Sequence, residues 1–373
     1  MNIRDQLIQI ASPAHVFTDE PMSAHTTFKA GGIADYYVEA TSEDVLSSLL
    51  RFLNEQNYPF YIVGNGSNLL VSDEGYRGVI ITLVGEFCEV YTDTQEHIRK
   101  AADGENDDMH GSEMSDSSVK VITCDSSENL MTRDLSDKAI IHAGAGCLLS
   151  KAASVAASNS LTGLEFASGI PGSMGGAIVM NAGAYGGEMK DVVESVVCLY
   201  SPDQGLYELP AEQCAFSYRK SLFNTRGGYV ILSAVFRLQP GDRDEIAAKM
   251  REMNEKRRAK QPLELPSAGS AFKRPEGNFA GALIEQAGLK GFTVGGAQVS
   301  EKHAGFVVNV GGATSHDVYD LMMQVRNTVY EKSGVRLEPE VIILPPDYKL
   351  EDHSPKAHKN HITVNAPAEE SEN

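Results

Sequence analysis

The chain has 373 residues, 42% of them hydrophobic, which is enough for two or three domains with separate cores. Its formal net charge of -19 at pH 7 disfavours nucleic acids and anionic membranes as partners, because both attract basic surfaces. No apolar run reaches the roughly 20 residues of a membrane-spanning helix, and the first residues lack the apolar segment of a signal peptide. These features predict a globular protein of the cytoplasm.

The cysteines and histidines indicate neither disulfides nor a metal site. The five cysteines are odd in number, scattered and without a C-x-x-C pair, as expected for reduced thiols. The ten histidines show no metal-ligand spacing. We therefore expect no metal and no disulfide framework.

The first unit predicted along the chain combines one helix and two strands. Residues 45–53 carry leucines at helical spacing, after a capping box that Thr41 and Asp44 could form. Strands are predicted at Phe60–Val63 and at residues 79–83. This order is typical of an α/β unit.

Residues 93–137 interrupt the pattern. Between residues 93 and 138 there are 12 acidic and 5 basic residues and few large apolar ones, so the segment cannot bury enough surface to order itself. We predict an inserted acidic surface loop, after which residues 139–142 return to the sheet. A disordered polar tail is predicted after residue 345.

The second half alternates helices, strands and glycine-rich turns. Its predicted elements are a helix at 148–158, two strands around a turn at 203–205, a strand at 229–238, a helix from a capping box of Asp242 and Glu245 to about residue 260, a helix at 279–287, strands within 292–310, a helix at Ser315–Ser333 and a final strand.

Two glycine-rich loops are the first candidates for chemistry. One covers residues 64–69, and the other lies in the segment 163–187, which has 8 glycines in 25 residues. Glycine lets backbone N–H groups approach an anion closely, so a bound dinucleotide is the natural interpretation. Ordinary turn chemistry is the alternative, and the Rossmann fingerprint and the Walker A loop are both missing.

Two polar side chains after these loops could act on a substrate. Arg219 follows Tyr218 just ahead of a predicted strand, and its guanidinium suits a carboxylate or phosphate, whereas a solvated arginine is the alternative. Ser270 lies between Gly269 and Ala271 with two cations nearby, so it could donate a proton. A plain turn serine is equally consistent with that pattern.

Two further charged groups are less specific. The basic residues of 256–260 end a predicted helix, where they would complement the helix dipole. Glu338 and Glu340 flank Pro339 beside an apolar strand, and a carboxylate that enters a sheet is costly unless it is paired or functional. One of the two glutamates is therefore a candidate functional residue.

The motifs occur in an order that resembles the UDP-N-acetylenolpyruvoylglucosamine reductase family, in its shorter-loop subtype. The resemblance covers residues 26–344 apart from the acidic insertion. Its markers are TTFKAGG at 26–32, VGNGSNL at 63–69, GIPGS at 169–173, NAGAYG at 181–186, YR at 218–219, GSAFKRP at 269–275 and LEPE at 337–340.

The resemblance implies an α+β fold with an FAD-binding part of the vanillyl-alcohol-oxidase (PCMH) type and a C-terminal α+β substrate domain. The FAD-binding part would consist of subdomain 1 at residues 1–84 and subdomain 2 at 85–240. The substrate domain would cover residues 241–345, followed by the tail at 346–373.

The resemblance also implies roles for individual residues. Catalytic roles are implied for Arg219, Ser270 and Glu340. Substrate binding is implied for Tyr218, Lys260, Lys273 and Arg274. Non-covalent FAD binding is implied for Gly64, Asn65, Gly66, Ser67, Asn68, Leu69, Gly169, Ile170, Pro171, Gly172, Ser173, Gly175, Gly176, Asn181 and Gly183.

The implied reaction is the NADPH-dependent reduction of UDP-N-acetylglucosamine enolpyruvate to UDP-N-acetylmuramate by a monomeric enzyme of peptidoglycan precursor synthesis. Arg219, helped by Glu340, would stabilise the negative charge that develops beside the substrate carboxylate, and Ser270 would protonate that carbon. Two alternatives remain open. One is an oxidase of alcohols or lactones with the same flavin fold, and the other is a UDP-sugar-binding protein without flavin.

Overall fold

The structure is a computed structural model that describes residues 2–92, 139–201 and 205–346. The predicted acidic loop, nearly all of the predicted tail and most of the turn at 203–205 lie outside these ranges. Helices pack on sheets that are partly parallel and partly antiparallel, which confirms the α+β class. No helix in the described ranges is both long and apolar enough to cross a membrane.

The described ranges contain eight α-helices and seventeen strands, numbered here in chain order. The helices are α1 Ile3–Ala11, α2 Glu43–Glu55, α3 Leu149–Ser158, α4 Met174–Val179, α5 Leu222–Thr225, α6 Arg243–Lys260, α7 Ala280–Gln286 and α8 Ser315–Ser333. The strands are β1 Val16–Pro21, β2 Ile33–Ala40, β3 Phe60–Val63, β4 Leu69–Val71, β5 Tyr76–Leu83, β6 Val90–Thr92, β7 Ala139–Gly144, β8 Leu161–Thr162, β9 Gly183–Ala184, β10 Gly187–Glu188, β11 Val193–Tyr200, β12 Gly205–Pro210, β13 Tyr229–Pro240, β14 Thr293–Val294, β15 Ala297–Val299, β16 Val307–Asn309 and β17 Ile342–Leu344.

The first sheet has the order β1-β2-β5-β3, in which β2, β5 and β3 run parallel and β1 is an antiparallel edge. Alternate residues of a strand point to opposite faces. Val79 and Ile81 accordingly join one apolar core, while Ile80 joins another. The parallel strands are therefore buried on both faces, which explains their nearly continuous apolar sequence.

Helix α2 covers one face of this sheet with four leucines at helical spacing, all fully buried: Leu46, Leu49, Leu50 and Leu53. Its N-cap is Ser42, whose Oγ accepts a hydrogen bond from the Val45 N–H at 3.3 Å. The capping box predicted for Thr41 and Asp44 is therefore wrong by one residue. The sequence does not decide between Thr41 and Ser42 as the N-cap, because either side chain can cap a helix.

The second sheet is antiparallel, with the order β12-β11-β13-β7-β6, and β8 pairs with the end of β13. Its buried face and one face of the first sheet share one large core, which includes Leu50, Ile81, Ile141 and Phe236. This core is continuous across residue 84, where one of the domain boundaries was placed. The three boundaries themselves stay predictions.

The C-terminal elements build a core of their own, which includes Leu283, Val307, Leu321 and Leu337. It contains α7, α8 and the antiparallel sheet β14-β15-β16. Phe28, Ala30 and Leu70 from the N-terminal half also belong to it. Strand β17 follows and pairs in parallel with β4, so Ile342–Leu344 lie beside the strand that directly follows the first glycine-rich loop.

Asp73 connects the two halves at the start of α8. Its Oδ1 accepts from the Ser315 N–H at 2.8 Å and its Oδ2 from the His316 N–H at 2.9 Å. The first N–H groups of a helix have no partner within the helix, and the positive end of the helix dipole favours a carboxylate there. Asp73 thus satisfies α8 from the loop between β4 and β5.

We expect Asp73→Ala to lower the free energy of unfolding by about 1–2 kcal/mol, because two helix N–H groups lose their acceptor. Urea denaturation followed by circular dichroism measures this change. The control is Glu331→Ala, which removes an exposed acid of α8 that bonds to none of the described residues and should change stability by less than about 0.5 kcal/mol. Equal effects of the two substitutions would contradict the role of Asp73.

Candidate active site

The two glycine-rich loops lie side by side. A Cβ atom on Gly64 would lie 2.0 Å from the Oγ of Ser173, so a side chain at position 64 would have to displace that hydroxyl. The side-chain amide of Asn65 donates to the Pro171 carbonyl at 2.6 Å. Residues 64–69 and 169–176 therefore form one continuous surface, although about a hundred residues separate them in the sequence.

Gly66 anchors the first loop to the segment that precedes β2. Its φ of +60° belongs to the left-handed region, and a Cβ atom there would lie 2.0 Å from the His25 carbonyl oxygen. The Gly66 carbonyl accepts from the Thr27 N–H at 3.2 Å. The segment around the motif at 26–32 thus packs against Gly66 and fixes the position of the loop.

The exposed side of the paired loops has room for a ligand. A Cβ atom on Gly176 would meet only the Ser173 Oγ, at 3.4 Å. Gly64, Asn65 and Gly176 are exposed. Glycine backbone bordering open space lets an anionic diphosphate come close to N–H groups, so these residues fit a dinucleotide.

Asn181 and Gly183 lie beside Arg219. Asn181 is fully buried, and its amide donates to the Glu188 carboxylate at 2.7 Å and to the Ser217 carbonyl at 3.0 Å. The Gly183 carbonyl accepts from a terminal nitrogen of Arg219 at 3.4 Å. These contacts order the turn that carries Arg219, and cofactor contacts of Asn181 and Gly183 stay a prediction.

Arg219 and Glu340 form an ion pair at the centre of the site. Arg219 Nε donates to Glu340 Oε1 at 2.7 Å, and the two side chains are only 20% and 13% exposed. Burial raises the pKa of the Glu340 carboxyl above its ordinary value, while the charges of Arg219 and Lys273 act in the opposite direction. Of the two glutamates singled out in the sequence, Glu340 is therefore the buried one, because Glu338 is 69% exposed.

The Glu340 backbone joins the first glycine-rich loop to the Ser270 segment. Its carbonyl accepts from the Asn68 side-chain amide at 3.0 Å, and its N–H donates to the Ala271 carbonyl at 2.9 Å. On the other side, Ser270 forms an isolated β-bridge with Phe306. The short extended segment of Ser270 thus lies between the segments of Phe306 and Glu340.

A cavity of about 420 Å³ brings the three predicted catalytic residues together. Arg219, Ser270 and Glu340 all line it, as do Tyr218 and Arg274. The Tyr218 hydroxyl accepts from the Arg274 N–H at 3.0 Å, which ties two of the predicted substrate-binding residues to each other.

The other two predicted substrate-binding residues are lysines, and neither lines the cavity. Lys273 forms an ion pair with Glu338, and Lys260 is an exposed residue at the C-terminal end of α6. Neither belongs to the described residues that line the cavity. Their contact with a substrate stays a prediction.

The segment after Arg219 differs from the predicted strand. Helix α5 comes first, and its capping residue Ser221 bonds with Asn224. The Asn224 amide also donates to the Arg219 carbonyl at 3.3 Å. Helix α5 helps to hold Arg219 in place. It could not be predicted, because its four residues are too few to show a helical periodicity.

Several residues that the sequence did not single out line or border the site. Phe279 is 60% exposed on the cavity wall, and the Arg274 guanidinium lies 4.0 Å above its ring. Arg257, expected only to complement a helix dipole, packs against Gly169, and burial lowers its pKa. His303 also lines the cavity. Exposed aromatic rings and half-buried cations give no distinctive local pattern, so only the fold brings them to the site.

Two family models match the chain. Residues 34–108 and 110–205 match an FAD binding domain. Residues 261–344 match the C-terminal domain of UDP-N-acetylenolpyruvoylglucosamine reductase. The first match confirms the FAD-binding fold expected for the N-terminal part.

Related proteins match over nearly their whole length. The UDP-N-acetylenolpyruvoylglucosamine reductase of Lachnoclostridium phytofermentans is 44% identical over 342 residues, which are 92% of this chain and 97% of that protein. The one of Clostridioides difficile is 42% identical over 350 residues, 93% of this chain and 100% of that protein. The crystal structure of the Thermus caldophilus reductase superposes with a TM-score of 0.65 at 32% identity and covers 87% of this chain and 97% of its own.

An FAD-binding domain next to a cavity lined by an arginine–glutamate pair and a serine defines an FAD-dependent oxidoreductase. The sequence identity of more than 40% to these reductases over nine tenths of the chain then identifies the family. The chain belongs to the UDP-N-acetylenolpyruvoylglucosamine reductase family, which confirms the resemblance seen in its motifs.

If the paired loops hold FAD, a methyl group at the exposed Gly176 should interfere with the cofactor and not with the fold. We expect Gly176→Ala to weaken FAD binding about tenfold without lowering the melting temperature of the apoprotein, because its Cβ would meet only the Ser173 Oγ, at 3.4 Å, and alanine is favourable within helix α4. Flavin fluorescence quenching during titration measures the affinity.

The matched control is Gly66→Ala. Its Cβ would collide with backbone, so this variant should lose apoprotein stability as well as FAD affinity. Unchanged FAD affinity in Gly176→Ala would place the cofactor elsewhere.

Proposed function

We propose that the protein reduces UDP-N-acetylglucosamine enolpyruvate to UDP-N-acetylmuramate with electrons from NADPH, as a step of peptidoglycan precursor synthesis. The observation that carries the proposal is the single cavity shared by Arg219, Ser270 and Glu340 beside the paired glycine-rich loops. FAD supplies the hydride chemistry when it is bound. The residues proposed to hold FAD are those of the two loops, 64–69 and 169–176.

Arg219 is proposed to stabilise the negative charge of the reaction. Hydride addition to the terminal vinyl carbon leaves charge on the adjacent carbon, which spreads into the substrate carboxylate. Glu340 accepts a hydrogen bond from Nε of Arg219 and so directs the guanidinium, and one terminal nitrogen donates to the Gly183 carbonyl. The other N–H groups are donors for a carboxylate. Donors fixed in place before the reaction stabilise such charge at little reorganisation cost.

Ser270 is proposed to protonate that adjacent carbon. Its side chain lies at the cavity, and its neighbour Ala271 is bonded on both sides, to the Gly305 carbonyl and to the Glu340 N–H at 2.9 Å each. A neutral serine is a weak acid, so it needs a fixed position and the support of Arg219. The backbone bonds beside Ser270 supply that position.

The proposed compartment is the cytoplasm. Cys88, Cys147, Cys198 and Cys214 are the four cysteines in the described ranges, and all four are free thiols. Free thiols persist in reducing compartments.

The decisive experiment is anaerobic NADPH oxidation by the purified protein with and without UDP-N-acetylglucosamine enolpyruvate. Sustained oxidation only with the nucleotide sugar supports the proposal. Turnover of a simple alcohol with oxygen would favour an oxidase of the same fold instead. Colourless protein that binds the nucleotide sugar without oxidising NADPH would favour a binding protein.

Ser270→Ala should slow turnover by about a hundredfold or more, because it removes the proposed proton donor. NADPH should still bleach the flavin absorbance at a rate close to that of the unmodified protein. Stopped-flow absorbance separates the two half-reactions. Ser267→Ala, three residues earlier and outside the cavity lining, is the control and should turn over normally; normal turnover by Ser270→Ala would remove Ser270 from the mechanism.

The buried Glu340 predicts an acid limit to the reaction. Its pKa is raised by burial, so as the pH falls it takes up a proton earlier than an ordinary glutamate, and Arg219 then loses its ionic partner. We expect kcat to fall with decreasing pH in a range above the usual glutamate pKa. Glu340→Gln should have a lower kcat without this acid limb; an unchanged limb in the variant would assign it to another group.

A further inference from the structure

His303 lies in the turn between β15 and β16, on the wall of the cavity that contains Ser270. Its Nδ1 accepts a hydrogen bond from the Gly305 N–H at 3.1 Å. An imidazole nitrogen that accepts carries no proton, so the proton of the neutral ring is on Nε2. The backbone therefore selects the tautomer whose Nε2 is a donor.

The ring is also fixed in orientation. It packs edge to face on Phe306, with ring centroids 5.0 Å apart. Cβ atoms on Gly305 and Gly281 would lie 3.0 and 3.3 Å from its Cε1, so two glycines leave the space that the ring fills. The Ser300 hydroxyl accepts from the His303 N–H at 3.2 Å and orders the turn itself. Rotation of the ring would break these contacts.

Nε2 has no partner within the described residues and is not one of the side-chain atoms sealed from solvent. A fixed donor without a partner, on a cavity wall, points to a ligand. Lys302 on the same wall is engaged already, because its ammonium donates to the Arg258 carbonyl at 2.8 Å. His303 is thus a donor on this wall that the protein leaves available.

The surroundings of His303 keep its ring neutral. Burial lowers its pKa, Lys290 and Lys260 act in the same direction, and Glu285 and a backbone hydrogen bond oppose them. The ring is therefore neutral near pH 7. Of these two lysines, Lys290 forms an ion pair with Glu285 at 2.9 Å, whereas Lys260 forms none with a described residue and so adds a charge that attracts a negative ligand.

We propose that His303 binds the substrate diphosphate, with its Nε2–H donating a hydrogen bond to a phosphate oxygen. This inference rests on the proposed function, since it assumes a nucleotide sugar whose carboxylate end lies at Arg219. The diphosphate then lies towards the wall of residues 302–305. His303 thereby fixes where the substrate enters, while Arg219 and Ser270 act at the reacting carbon.

Two substitutions separate the donor from the ring's role in the turn. His303→Asn keeps an acceptor near the Nδ1 position for the Gly305 N–H but has no donor at the Nε2 position. His303→Gln does the opposite, because its longer side chain places an amide N–H near Nε2 and gives up the acceptor. A merely structural histidine would be replaced better by Asn, and a ligand donor better by Gln.

The measurement is the Kd of UDP and of UDP-N-acetylmuramate for the holoenzyme, by isothermal calorimetry at a pH where all histidines are neutral. We expect His303→Asn to weaken both ligands by about tenfold, the usual loss for a hydrogen bond to a charged group. His303→Gln should bind both within about threefold of the unmodified protein. The melting temperature and the FAD content of each variant check its fold.

Each other result overturns the inference. Normal binding by His303→Asn, or equal losses in both variants, would leave His303 only its contacts in the turn. A loss for UDP-N-acetylmuramate without a loss for UDP would exclude the diphosphate as the bound group. If the unmodified protein turns over the enolpyruvyl substrate in these cases, the proposed function stands and the inference alone fails; if it neither binds nor reduces the nucleotide sugar, both fail.

Discussion

The ion pair between Arg219 and Glu340 is the interaction on which the site depends. Arg219 lies between β12 and β13, in the half of the chain that packs in the large core, and Glu340 follows the C-terminal core. Burying two charges costs more than their attraction returns unless the geometry is good, and removal of one partner leaves an uncompensated charge. The 2.7 Å contact meets that condition only when both halves are in place. The cavity therefore exists as a property of the whole chain and not of either half.

Local strain accompanies this pair. Arg219 has a φ of +55°, and Asn181 and Tyr185 have φ values of +42° and +54°. A residue other than glycine in the left-handed region costs roughly 1–3 kcal/mol and persists only where its surroundings hold it. The Asn181 amide bonds to the Ser217 carbonyl, two residues before Arg219, and supplies that support. Polar contacts such as this one thus stabilise the left-handed backbone conformation beside the site.

Local sequence patterns predicted the long helices well. Helix α8 has the predicted bounds, and α6 begins after Asp242 and ends at Lys260 as expected, because periodic apolar residues and capping side chains act over a few residues. The pairing of Ile342 with Leu69 could not be predicted in this way. Nothing in either short apolar stretch specifies a partner some 270 residues away, and tertiary packing decides it. Helix α1 and strands β1 and β2 were also not predicted, since their composition is mixed.

The same distinction between local patterns and tertiary contacts applies to the residues of the candidate site. Motifs singled out Arg219, Ser270 and Glu340, because these side chains lie in short segments of distinctive composition. The Gly305 N–H selects the donor tautomer of His303, and the absence of side chains at Gly305 and Gly281 leaves room for its ring. A histidine in a turn carries no sign of such contacts in the sequence. Candidate residues that are defined by their side-chain type were therefore accessible to motif analysis, whereas candidates that are defined by their surroundings required the fold.

The register between β17 and β4 connects the first glycine-rich loop to the cavity that contains Ser270. With Ile342 opposite Leu69, the Asn68 carbonyl accepts from the Ile342 N–H at 3.0 Å and its amide reaches the Glu340 carbonyl. A slip of one residue would turn every side chain of β17 to the opposite face and withdraw Glu340 from Arg219. The loop proposed to hold FAD and the glutamate proposed to direct the guanidinium are thus held by the same pair of strands. Because that pairing brings β17 back to the N-terminal half, both parts of the candidate site depend on the same tertiary contact.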